Sequence, residues 1–146
     1  MSAKHVIIVV GAGPAGLSVA NLMSKQGHEV VVLNRDIKFG GLAEYGIFPN
    51  KHKLRGGLRK GYWEILTRPN VHYFGNVMIG NGAHLTVEEL RALAPGALVF
   101  STGAQGTKTI GVEGETAKGV YHAKDCVYHF NLLPGLPLDG GRVLRG

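Results

Sequence analysis

Gly11, Gly13 and Gly16 stand at the spacing G-x-G-x-x-G, directly after the apolar run Val6-Ile7-Ile8-Val9-Val10. Glycines so placed let backbone amides, rather than side chains, do the binding. Gly11 permits a tight turn out of a strand, Gly13 leaves no Cβ in the way of a diphosphate, and Gly16 lets the next helix pack close to that strand. Pro14 falls in the first helical turn, where its missing N–H is no loss. Ala12 and Ala15 complete the candidate phosphate-contacting run Gly11 to Gly16. Free amides at a helix start, with the positive end of its dipole behind them, attract phosphate. The predicted chemistry is recognition of a dinucleotide's pyrophosphate. A helix-packing use of the same glycines is the plain alternative.

A dinucleotide site of this kind expects Asp or Glu at the end of the second strand, about 20 residues after the glycines, to bind the adenosine ribose. Asn34 stands there instead, followed by Arg35 and Asp36. Asparagine accepts a hydrogen bond but carries no charge, so the ribose contact is weakened unless Asp36 swings in. Arginine beside a neutral residue also suits a ribose 2′-phosphate, which keeps NADP as an alternative ligand.

The elements that position these residues read as a βαβ unit. Val6 to Val10 suits a strand buried on both faces of a parallel sheet. Ala15, Val19, Leu22 and Met23 follow at helical spacing, Gly27 offers a stop, and Glu29 to Leu33 is the next strand. Leu54, Leu58, Tyr62, Ile65 and Leu66 share a helical face. Val71 to Phe74 and Val77 to Ile79 read as short strands, and Thr86-Val87-Glu88-Glu89 as a capping box opening a helix. Ala97 to Ser101 reads as a buried strand running into the small-residue turn Thr102-Gly103-Ala104, and a helix is predicted from about Ala123 to Asn131.

A chain of 146 residues is the size of one domain and small for an enzyme with two nucleotide sites. Its apolar runs are strand-sized and its start lacks a secretory pattern, so the expectation is a cytoplasmic protein with no membrane span. The single Cys126 excludes an internal disulfide and dithiol chemistry; it reads as a buried thiol. Of seven histidines, none pairs with others at metal-ligand spacing. Much of the net charge of +6 is local, in Lys51, Lys53, Arg55, Arg59 and Lys60. A solvated helix face is the default reading, and a docking patch for an acidic partner the alternative. No nucleic-acid-binding motif accompanies the cluster.

Several motifs keep order and spacing: Gly11 to Leu17, Gly40-Gly41-Leu42 through Tyr45-Gly46-Ile47, Gly75 to Gly80, Leu85 to Leu90, Ser101 to Ala104, and Gly119 to Asp125 with Tyr128 to Pro134. Together they resemble the FAD-binding domain of NADPH-dependent flavoprotein reductases, of the adrenodoxin reductase and glutamate synthase small-subunit type. The resemblance implies an α/β, Rossmann-like FAD-binding domain over residues 1–134, with a mainly parallel sheet and flanking helices. It implies that FAD lies with its pyrophosphate on Gly11 to Gly16 and its adenosine near Asn34 and Arg35. Gly41 and Leu42 would flank the isoalloxazine side, Ile79 would meet the adenine, and Thr102, Gly103 and Ala104 would close the rim. In that family NADPH, bound elsewhere, delivers hydride to the flavin, which passes electrons to an iron–sulfur or ferredoxin-like acceptor. No catalytic side chain is expected, because the flavin performs the electron transfer.

Family members continue into an NADPH-binding unit and a closing Gly-Asp segment, neither of which occurs in this sequence, so slow unassisted NADPH oxidation is expected. Residues 135–146 read as a tail of separate origin. Asn131 to Arg145 looks like the zinc-ligand segment of site-2-type intramembrane proteases, with Asp139 at the ligand position, but HExxH and membrane spans do not accompany it. Two rivals to FAD binding stand: an NADP(H)-binding module without catalysis, and a folded remnant without ligand.

Overall fold

The computed structural model describes residues 3–104 and 106–131. Strands β1 (Val6–Val10), β2 (Glu29–Leu33), β3 (Val71–Phe74) and β4 (Ala97–Phe100) form one sheet in the order β3-β2-β1-β4. Every pairing is parallel, with Val9 opposite Val32 and Val99, so the expected parallel α/β architecture is present. The zinc-ligand resemblance at Asp139 and the domain boundary after residue 134 lie outside the described residues.

Helix α1 (Pro14–Lys25) and helix α3 (His52–Leu66) cover one face. There Ile7, Val9, Val30, Val32 and Val71 pack with Leu17, Ala20 and Leu66. The face of α1 differs from the one its larger apolar residues suggest. Ala15 and Leu22 point to solvent, whereas Gly16, Leu17, Ala20 and Ser24 are buried. The reason is proximity at one point: a Cβ on Gly16 would overlap the Gly11 carbonyl oxygen, so only glycine fits there, while Leu17, Val19 and Met23 pack beside it. On the opposite face Ile8, Val10 and Leu33 meet Leu90 of the short helix α4 (Val87–Ala92). The predicted capping box opens α4: Thr86 Oγ1 accepts from Glu89 N at 3.2 Å, and Glu89 Oε2 accepts from Thr86 N at 2.7 Å.

Two strand expectations are corrected. Val77 to Ile79 forms no strand; Ile79 makes a single bridge to Leu85, because Met78 turns its N–H to the His84 ring. β4 is a half-exposed edge, since among the described residues only β1 pairs with it. The predicted last helix is α5 (Ala123–Phe130), which packs against the segment after the four-residue helix α2 (Leu42–Tyr45). Asn131 holds it there, donating to Tyr45 O at 2.7 Å and Ile47 O at 3.0 Å. Among the described residues no helix is long and apolar enough to cross a membrane.

Candidate functional site

β1 has β2 on one side and β4 on the other, so its carboxyl end is the point where strand order reverses. Ligands of open α/β sheets bind in the crevice outside that point. The turn Gly11–Gly13 lies there, with α1 rising from it. Among the described residues no side chain caps α1, and its first amide to reach a carbonyl is that of Leu17, bonded to Gly13 O at 3.0 Å. Gly13 has ordinary extended geometry (φ −78°), and a Cβ built on it would meet nothing within 4 Å. Its side-chain direction therefore points into open space beside the helix start, as a cradle for a diphosphate requires. Gly41 approaches from the other wall; a Cβ there would stand 3.1 Å from Gly13 Cα.

Four ties hold this turn in place. Gly11 N donates to Leu33 O at 2.8 Å and Gly40 N to Ala12 O at 2.7 Å, fixing the turn to β2 and to the Gly40-Gly41 pair. Ser101 Oγ lies 2.8 Å from Gly11 O and 3.1 Å from Val10 O, fixing it to the end of β4. The fourth tie is Asn34, whose Oδ1 accepts from Ala12 N at 3.0 Å.

Asn34 also has a structural role. Its Nδ2 donates to Asp36 O at 2.8 Å and to Lys38 O at 3.0 Å, with Tyr73 Oη at 3.3 Å. The carboxamide is a clasp between the glycine turn and loop 35–38, with Nδ2 taken up by that loop and one lone pair of Oδ1 by Ala12 N. Asp36 does not swing in: its carboxylate faces Arg35, with Nε to Oδ1 at 3.2 Å. Tyr73 braces the same loop, its hydroxyl 2.9 Å from Ile37 O, and burial raises its pKa.

The other expected residues sort by position. Gly11 to Gly16, Asn34, Gly41 and Thr102 are brought around one crevice, Thr102 N lying beside Gly11. Gly103 and Ala104 extend from that rim into solvent. Leu42 is 60% exposed at the crevice mouth. Ile79 lies further along, after Val77 N bonds Asn34 O at 2.9 Å. Ser101 and Gly40 are positioning residues that spacing did not single out. Their only sequence signal was membership of the motifs at 40–42 and 101–104.

The basic cluster is smaller than its sequence suggests. Arg59 forms a two-pronged ion pair with Glu44, Nε to Oε2 at 2.6 Å and a second bond from Nη2 to Oε1. Glu44 is only 6% exposed, and the guanidinium holds its carboxyl below the usual range. Arg55 donates to Asn131 Oδ1 at 2.7 Å. Lys51, Lys53 and Lys60 remain on the exposed surface. Nearby, burial followed by the charges of Asp36 and Glu44 pushes the Tyr45 hydroxyl up to about 12. Cys126 is half-buried, and among the described residues no group of three or more His, Cys, Asp or Glu converges on a metal-sized site.

Residues 9–60 match the family model for an NAD(P)-binding Rossmann-like domain. The chain is 37% identical over 119 residues to the small chain of NADPH glutamate synthase from Bacillus subtilis, covering 82% of this chain and 23% of that one. It is 35% identical over 131 residues to the mitochondrial NADPH:adrenodoxin oxidoreductase of Salvelinus fontinalis, covering 88% of this chain and 25% of that protein. Among solved structures it superposes on Mycobacterium tuberculosis FprA in complex with NADPH with a TM-score of 0.77 at 26% identity, covering 90% of this chain and 30% of that one. The chain thus spans about a quarter of the length of the two sequence relatives.

Proposed function

As a homologue of NADPH-dependent flavoprotein oxidoreductases that carries an NAD(P)-binding Rossmann-like domain, this chain, we propose, is the FAD-binding module of such an oxidoreductase. Electrons would pass from a nicotinamide through the flavin to an iron–sulfur acceptor. The observation that carries this reading is the open face of Gly13 beside the uncapped start of α1. Gly11 to Gly16 would hold the pyrophosphate, Arg35 and the backbone near Ile79 the adenosine, and Gly41, Leu42 and Thr102 to Ala104 the flavin side. Bound flavin supplies the electron transfer. The protein's part is to place it and to present amides to its phosphates. Lys51, Lys53 and Lys60 are the cations that support docking of an acidic acceptor, Arg55 and Arg59 being engaged by Asn131 and Glu44. The domain would occupy residues 1–134, in a cytoplasmic protein.

The test is a substitution that leaves the fold alone. Valine at Gly13 meets ordinary backbone geometry and no neighbour, so Gly13→Val should fold with an unchanged melting temperature. Its FAD affinity, read by flavin fluorescence, should fall at least about a hundredfold, because the side chain occupies the phosphate's approach. Retained affinity would overturn the reading. One observation favours NADP(H) as occupant of the same crevice: Asn34 is neutral and bonded internally, with Arg35 beside it. A colourless protein whose melting temperature rises with NADPH but not with FAD would decide for that ligand.

A further inference from the structure

Across loop 35–38 from the glycine turn, α2, α3 and α5 border a cavity of about 660 Å³. Its walls carry four cationic side chains, Arg35, Lys38, Arg55 and Arg59, against the two carboxylates Asp36 and Glu44. An adjoining hollow of about 360 Å³ shares Lys38, Glu44 and Arg59 with it and is otherwise largely aromatic, with Phe39, Trp63 and Tyr73. Neither the turn Gly11 to Gly16 nor Ile79 lines these spaces; they border the nucleotide crevice only at Arg35, Gly41 and Leu42.

The two ends of this cleft differ in chemistry. At the aromatic end, Phe39 lies 6.1 Å from Trp63 and edge-on to Tyr73 at 6.2 Å, while Trp63 remains 60% exposed. That leaves an indole surface available for stacking. At the cationic end, Arg59 commits Nε and Nη2 to Glu44, and Arg55 commits Nη1 to Asn131. A guanidinium has five N–H donors, so both keep further donors for an anion. Their planar forks match phosphate oxygens, and the pairs with Glu44 and Asn131 hold them in place before a ligand arrives.

We propose that this cleft is a second ligand site, separate from the glycine turn, for a phosphorylated compound with a planar ring and the size of a nucleotide. The phosphates lie among Lys38, Arg55 and Arg59, and the ring stacks on Trp63. The combined space is of the size that small-molecule sites occupy.

Trp63 is the sole tryptophan of the chain, so its fluorescence reads the ring end directly. The full chain is titrated with ADP, with pyrophosphate and adenosine as the two halves. ADP should quench Trp63 saturably, and Lys38→Gln and Arg55→Gln should each raise the ADP Kd about tenfold. Gly13→Val should leave the quenching intact. Loss of quenching in Gly13→Val, an unchanged Kd in both charge variants with native melting curves, or pyrophosphate competing as tightly as ADP would each overturn the proposal. If Gly13→Val instead keeps both FAD and the ADP quench, the flavin reading falls and this one stands.

Discussion

The two sides of the glycine turn are built differently. Toward β2 it is held by Gly11 N on Leu33 O, Gly40 N on Ala12 O and the Asn34 clasp, with Val30, Val32 and Ala12 fully buried beneath. Toward β4 it rests on Ser101, beyond which Thr102, Gly103 and Ala104 run exposed on an edge with one neighbouring strand. A phosphate grip needs fixed amides, because donors that must be ordered on binding give up affinity to entropy. The β2 side supplies that rigidity, and the β4 side supplies a border against which a cofactor rests.

The largest effect should come from the closest approach. Gly16→Val drives a side chain into the Gly11 carbonyl and Ser101, so the variant should lose cooperative thermal unfolding by circular dichroism, a destabilisation of about 4 kcal/mol or more. If it melts normally, α1 is not seated where the comparison requires. Next is Asn34→Asp, which keeps an acceptor for Ala12 N but turns a carboxylate toward Asp36 O and Lys38 O. Denaturant unfolding should show a loss of about 2 kcal/mol, and a neutral result would leave position 34 only the role of a ribose acceptor.

Glu44 offers a pH test of the wall that carries Gly41. Its pKa is lowered in the folded state, so its pairing with Arg59 contributes fully above the ordinary glutamate value of about 4.3 and is lost as pH falls below it toward the depressed value. Wild-type stability should drop through that acidic window more steeply than that of Glu44→Gln. Parallel pH profiles would mean the pair adds nothing there. The smallest effect belongs to the β4 side: Ser101→Ala should cost about 1 kcal/mol, since the Gly11 and Val10 carbonyls it reaches have a second lone pair for other donors. A loss as large as that of Asn34→Asp would erase the difference between the two sides.

Much of this was legible in the sequence where the determinant is local. Gly11, Gly13 and Gly16 act through backbone geometry that spacing states outright, and Thr86 and Glu89 sit three residues apart in one turn of helix. The misreadings fall where a residue's partner is distant in the chain. Arg59 pairs with Glu44 fifteen positions away, and Arg55 bonds Asn131 seventy-six positions away, so both read as free surface charge. The apolar stripe of α1 was half legible: Val19 and Met23 pack against the core, while Ala15 and Leu22 face solvent and Gly16, Leu17 and Ala20 are buried instead. The close approach of Gly16 to the Gly11 carbonyl, which an apolar count does not register, sets that face.

The sequence alone determined that a strand, a glycine turn and a helix follow one another with free amides at the junction, because strand alternation, helical periodicity and glycine's missing side chain are properties of neighbours in the chain. Only the tertiary structure decided what Asn34 does, since a carboxamide is acceptor and donor at once and its use depends on which backbone groups the fold carries to it. The turn's amide and the carbonyls of loop 35–38 arrive there together.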